Sequence, residues 1–577
     1  MQTYHHTMLY ALLWKLNMIS ELLTFNGGLS TKTSSHLIAK NEGIICENVD
    51  LESGTLKPFS SLEFISTING EHITFFNDTL ISSLSISDDR FYDTFSGRLY
   101  WSDKGYTTSG LRRYNGTNAG VSADAPNGIS NIALINLSEC SIADNSGQMT
   151  QGVDYLYAFT LVNSDGIESA PVYHPTTINL ANKNKLSVKI VILKTNISTV
   201  IPSGYTMNVY RVGGSNPTFN LIAEGLDSTT MIDGDVVAAC GAGNYCYRDK
   251  LADIDVSRIE LYTSENTPAN SNMDMLINNQ GTFFGAIGTK VYFSRSGSAE
   301  FWSTLDFVVL DKTVTGLGKF ADTIIAFTKT SAYQILGYSR DTIQVNRLPF
   351  NQGCVNKHSV VNIDAYLVWT SMNGVCLYNG SEIQVITKKT IAWDEFGRLG
   401  NTTYDDYNST TSKWGSGLGF DIKYAVGYQD KYYGLYNDGV MIIDLANGLK
   451  VSTISTPNAV SLGINKDDNI LYVVVDNLDT TYDVYALLKS NSKMIGTWKT
   501  GRITEGSTDV KKHYRQVQLD GIPISVEVFI NSVSKYISYG KDKFMLPSGL
   551  IGLDIQFEIK TVNEIRSMKY QYSLLSA

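Results

Sequence analysis

The stretch NQGCVNKHSVVNIDAYLVWTSMNGVCLYNG, residues 351–380, carries Cys354, His358 and Cys376, side chains able to ligate metals or act as nucleophiles. A structural zinc site wants four ligands, with paired cysteines two to four residues apart. Here the steps are four residues from Cys354 to His358 and eighteen from His358 to Cys376, with no partner pair. Cys376 also falls in the alternating run VCLYNG, where a small apolar residue packs. The stretch therefore reads as folding pattern, with Cys354 at the start of a loop and Cys376 packed in a strand after the Asn373–Gly374 hairpin, and no metal ligand is assigned. Cys240 and Cys246, in ACGAGNYCYRD, are close enough to pair in a loop, but a free pair is expected.

Carboxylates cluster in SDD (Ser87–Asp89), YDDY (Tyr404–Tyr407) and KDDN (Lys466–Asn469). A glycosidase needs two acids flanking a sugar cleft, but Asp and Asn are also ordinary turn formers. No G-x-x-x-x-G-K-[ST], H-E-x-x-H or G-x-S-x-G motif occurs, and the GSGLG glycines (Gly415 to Gly419) lack a strand–helix frame. No catalytic residue and no cofactor are assigned, and the chain is not expected to be an enzyme. Lys511, Lys512, His513 and Arg515 form a basic cluster, read as one solvated strand face because a phosphate site needs a sustained basic patch.

The elements that would position these residues are strands. Short runs rich in Tyr, Val, Ile and Thr alternate with Asn, Asp, Gly and Ser, so the class is all-β. At 577 residues the chain is too long for one core. A net charge of −10 argues against a sequence-reading DNA binder, though not against DNA that slides past. Six cysteines are too few for a disulfide scaffold and suit a chain folded in a reducing cytoplasm. The apolar run Met8 to Trp14 is broken by Lys15 and is too short to span a membrane, and it lacks a basic leader and a cleavage site. Met18 is an alternative start. No stable membrane insertion is expected.

Five hairpins recur, with turns near Gly288, Thr330, Asn373, Asp438 and Leu478. Three of the four steps between them lie close to forty residues, the spacing of β-propeller blades, whose sheets bury both faces only by stacking around an axis. The long step holds an insert, Trp393 to Phe420. The expected organisation is an N-terminal arm or helix over 1–30, then a β region over 31–150 that contributes propeller strands. A β-sandwich follows over 151–235, then propeller blades over 236–500 with the loop insert 393–420, and a C-terminal β domain over 501–577. The words TLVNSDGIESAP and NVYRVGGSNPTFNLIAE in the sandwich resemble fibronectin type III modules.

Several segments, taken in order, resemble the tail nozzle (tail tubular or stabilisation) proteins of short-tailed bacteriophages. They are TFNGGLSTKTSSHLIAKNEGIICENVDLESGTLKPF, VYFSRSGSAEFWS, LGKFADTIIAFTKTSAYQILG with the 351–380 stretch after it, and TGRITEGSTDVKKHYRQVQLDG with ISVEVFIN. The resemblance runs from about Leu23 to the C-terminus. It implies a structural virion protein, a homo-hexamer beneath the portal and an adaptor. Such a protein holds tail fibres or spikes outside and gives genomic DNA a channel without sequence-specific binding. On this reading the insert is a gate loop, with Trp393, Asp394, Glu395, Tyr404, Asp405, Asp406, Tyr407, Gly415, Gly417 and Gly419 as its residues. The alternatives are a carbohydrate- or receptor-binding propeller and a propeller glycoside hydrolase.

Overall fold

The computed structural model describes residues 19–575 apart from 32–34, 36, 85–88, 103, 105–109, 123–125, 141–146, 182–185, 392–421 and 437–438. The fold is all-β, and among the described residues the α-helix is the single turn Ile197–Val200. The chain divides into two compact units. The first comprises 1–89, 312–336 and 344–577, and the second 90–311 and 337–343.

In the first unit, three segments each fold into a four-stranded antiparallel meander, over 316–336 with 344–347, over 361–385 and over 424–455. A fourth sheet takes Ala459–Asn465, Ile470–Asp476 and Tyr482–Leu487 and is completed by a distant strand, Glu63–Ile68, which pairs from Tyr482↔Ile68 to Ala486↔Glu63. The expected hairpins near Thr330, Asn373, Asp438 and Leu478 are central pairs of these sheets or, for the last, two of its strands. Their residues are buried on both faces, as in Gly374–Tyr378 and Gly439–Asp444, so the alternation in the sequence is that of two unequal apolar faces.

The leading strands of successive sheets pack on one another: Gly316–Phe320 on Val361–Ile363, that strand on Tyr424–Tyr428, and that in turn on Ala459–Asn465. Glycines allow the approach. A Cβ on Gly427 would lie 2.5 Å from the Ile363 side chain, and one on Gly318 2.7 Å from Val360.

The C-terminal strands do not stand apart from the N-terminal ones. Lys450–Ser455 continues through Glu42–Glu47, Gly496–Thr500, Ile555–Thr561 and Ser525–Ile530 to the edge strand Val533–Tyr539 in one ten-stranded sheet. A second sheet pairs Ile19–Leu23 with Met568–Leu574, and that with Lys512–Leu519. Phe25, Trp498, Tyr514, Phe557 and Tyr570 belong to the core these strands share. Part of the expected N-terminal arm is therefore a strand, because Ile19–Leu23 finds an open sheet edge more than five hundred residues away. The basic cluster is also corrected at one position: Lys512 is fully buried, its ammonium donating to the carbonyls of Ser507 and Leu553 (2.9 Å for Leu553). Alternation along a strand turns Lys512 inward while Lys511 stays exposed.

The second unit holds two more four-stranded meanders, over 92–122 and 275–309, sharing Tyr100, Leu111, Leu276, Phe283 and Trp302 in one core. The hairpin near Gly288 is the central pair of the latter. Between them in sequence lie two antiparallel sheets built from strands between Ile135 and Asp249, joined by a core that includes Tyr157, Phe159, Val188, Ile190 and Val209. These sheets take strands from both sides of the expected 151–235 span. Arg211 is enclosed between them. Its Nη1 donates to Asp249 Oδ2 at 2.7 Å, its Nη2 to Asp253 Oδ1 at 3.2 Å, and both to the Leu251 carbonyl at 3.2 Å. Tyr157 Oη donates to Asp249 at 2.8 Å. Cys240 and Cys246 are joined as a disulfide with Cα atoms 5.8 Å apart, a correction to the expected free pair, since the 3-10 turn Ala238–Cys240 folds back onto Asn244–Asp249.

Candidate functional site

The gate residues Trp393, Asp394, Glu395, Tyr404, Asp405, Asp406, Tyr407, Gly415, Gly417 and Gly419 lie outside the described residues. The residues of the 351–380 stretch separate into two roles. Cys354 and Cys376 are fully buried among Ile325, Phe327, Leu367, Trp369 and Tyr378. Cys354 Sγ donates to the Asn356 carbonyl at 3.0 Å and Cys376 Sγ to Ser371 Oγ at 3.2 Å. Burial pushes both thiols up to about 12, so they stay protonated and unreactive at neutral pH.

His358 faces elsewhere. The Asn356 side chain caps the 3-10 turn Lys357–Ser359 by accepting from the His358 amide at 3.0 Å, and Ser359 Oγ donates back to the Asn356 carbonyl at 2.7 Å. This turn directs Lys357 and His358 onto Asp89, one of the acids of the SDD run. His358 Nε2 donates to Asp89 Oδ1 at 2.6 Å, and the Lys357 ammonium pairs with Oδ2. A second histidine, His72, brings its Nε2 to 3.8 Å from the same Asp89 Oδ1 and to 3.3 Å from Glu71 Oε1. The two imidazoles stack with centroids 5.0 Å apart, and the Tyr424 ring stacks on His358 at 5.0 Å. Burial favours neutral His358, outweighing the Asp89 carboxylate that would raise its pKa. Burial by itself would raise the Asp89 carboxyl, but His358 and Lys357 hold it well below the usual carboxylate range. Among the described residues, His72, Asp89 and His358 are the histidine and acid side chains placed to hold a cation. Sequence spacing could not find this group. The one signal was the scarcity of histidine, seven in the whole chain.

Two strands offer open edges. Glu63–Ile68 and Val533–Tyr539 each have a neighbour on one side among the described residues. Both carry exposed apolar side chains: Phe64 and Ile65 on the first, Val533, Ile537 and Tyr539 on the second. In the second unit a cleft of about 340 Å³ is lined by Phe301, Tyr338, Arg295 and Asp341, with Arg340 bonded to Glu265 and Asp306.

No protein-family model and no curated protein matches the chain. Among solved structures it is similar to PorZ, an essential bacterial surface component of the type-IX secretion system of Porphyromonas gingivalis, at 10% identity and a TM-score of 0.25. The match takes in 78% of this chain, which spans 44% of that one, under half its length. Apo AztD from Citrobacter koseri is similar at 10% identity and a TM-score of 0.24, covering 56% of this chain and 89% of that one. Kluyvelomyces marxianus Hsv2 stands likewise at 10% and 0.24, covering 51% and 71%. At these scores the likenesses carry no argument about function.

Proposed function

We propose that this chain is a structural virion protein, the tail nozzle of a short-tailed bacteriophage. It assembles as a ring and gives the ejected genome a channel, and a net charge of −10 suits a wall that does not grip a polyanion.

 The observation that carries the reading is the pair of open strand edges bearing Phe64, Ile65, Val533, Ile537 and Tyr539. A protein that acts alone blunts such edges, whereas a subunit of a ring covers them with its neighbour. The ordered resemblance from Leu23 onward supports the same reading. In it, the four-stranded meanders are blades of a β-propeller, with Glu63–Ile68 supplying the outer strand of one, and the 135–249 sheets are a fibronectin III-like module that interrupts the blades. The homo-hexamer sits beneath the portal and adaptor and carries fibres or spikes.

Negative-stain microscopy of the purified chain, alone and with its adaptor, tests this. Six-fold rings are expected, and Ile537→Lys with Tyr539→Lys should abolish them while leaving the far-ultraviolet circular dichroism unchanged. Monomers under every condition, with and without adaptor, would sink the reading.

The cleft lined by Phe301 and Tyr338, with Glu265, Asp306 and Asp341 at its sides, favours a second reading as a carbohydrate-binding protein. A glycan array decides it: retained ligands lost on Phe301→Ala would put recognition ahead of assembly.

A further inference from the structure

We propose that His72, Asp89 and His358 form a binding site for one zinc ion in the first unit. The donors come from three distant points of the chain and converge: the candidate atoms of His72, Asp89 and His358 all lie within 4.8 Å of one another. Zinc bonded at about 2.0–2.2 Å in a tetrahedron needs donor atoms roughly 3.3–3.6 Å apart. The observed separations, 2.6 Å from His358 Nε2 to Asp89 Oδ1 and 3.8 Å from His72 Nε2 to the same oxygen, bracket that range. The fourth tetrahedral position is left to water.

Hydrogen bonding alone explains only half of the cluster. Asp89 is already served by His358 and Lys357, one on each oxygen. His72 adds no bond of ordinary length to Asp89, yet it is only 6% exposed and its Nδ1 has no partner. A buried imidazole with one ring nitrogen unpaired and the other facing two carboxylates is costly unless something else sits between them. Two imidazole nitrogens with one carboxylate oxygen suit zinc better than magnesium or calcium, which take oxygen shells. On binding, His358 takes its other neutral tautomer: the Nε2 proton leaves to solvent as the metal bonds there, and Nδ1 takes up a proton.

With three protein donors, the ion joins His72, which leads into the strand Ile73–Phe76, to Asp89 and to the turn Lys357–Ser359. The inference does not depend on the nozzle reading.

The test uses the full chain, stripped with a chelator and dialysed against zinc. One zinc per chain by elemental analysis is expected, with a rise in Tm that the His72→Gln/His358→Gln double variant loses. Cobalt(II) in place of zinc should give the visible absorption of a tetrahedral nitrogen–oxygen site on the unaltered chain, a readout that stands even if the variant fails to fold. Less than stoichiometric zinc on the unaltered chain overturns the proposal. So does full retention by the double variant, or a sulfur-to-cobalt charge-transfer band, which would place the metal on cysteines.

Discussion

Arg211 in the second unit and His72 in the first are both buried beside two carboxylates, but their surroundings complete them differently. Each terminal nitrogen of Arg211 has two acceptors, a carboxylate and the Leu251 carbonyl, and Tyr157 fills a further position on Asp249. Only Nε lacks a partner. The His72 ring has no such shell: one nitrogen is unpaired and the other meets carboxylate oxygens at 3.3 and 3.8 Å. The difference separates a polar group held by the protein for its own folding from one that leaves room for a ligand. A guanidinium has five donors in a fixed fork and can be saturated by a rigid sheet pair, whereas an imidazole has only two ring nitrogens with which to meet its surroundings.

The comparison breaks most visibly if the Arg211 network proves dispensable. Asp249→Ala leaves the guanidinium buried without its main counter-charge and should cost about 3–5 kcal/mol. Hydrogen exchange at the strands Ser187–Leu193 and Asn244–Asp249 measures this directly, and protection equal to that of the unaltered chain would contradict the structural role. Next in size, Tyr157→Phe removes one donor from Asp249 and should cost about 1–3 kcal/mol at the same strands. In the metal-free first unit, His358→Gln should cost under about 1 kcal/mol, because Lys357 still pairs with Asp89. A large loss in urea denaturation without metal would make His358 a folding residue like Arg211. The smallest effect concerns the neighbouring thiols. Their raised pKa keeps Cys354 and Cys376 protonated through pH 9, so iodoacetamide should label neither in the folded chain until urea exposes them.

How much of this was legible depended on the range of the interaction. The hairpins around Gly288, Thr330, Asn373 and Leu478 could be read because paired strands lie within a few residues of each other and their apolar periodicity is local. Cys376 was placed in a core strand for the same reason. Pairings across hundreds of residues could not be read: Ile19–Leu23 on Met568–Leu574, or Glu63–Ile68 on Tyr482–Leu487. A strand pattern states which face is apolar but not which edge it meets. Lys512 was misplaced because a charged residue in a basic run looks solvated until strand parity turns it inward. Of the cluster, Asp89 was seen as a turn former and His358 as a poor zinc ligand; neither was linked to Glu71 or His72.

By itself, then, the amino-acid order determined the all-β class, the near-forty-residue rhythm and the packing of Cys376, since each follows from apolar periodicity over neighbouring residues. Tertiary structure decided which strands complete which sheets, which way Lys512 points and that His72, Asp89 and His358 meet. Those outcomes depend on contacts between segments far apart in the chain, where sequence spacing carries no distance and only the closing of the sheets brings charges within reach of one another.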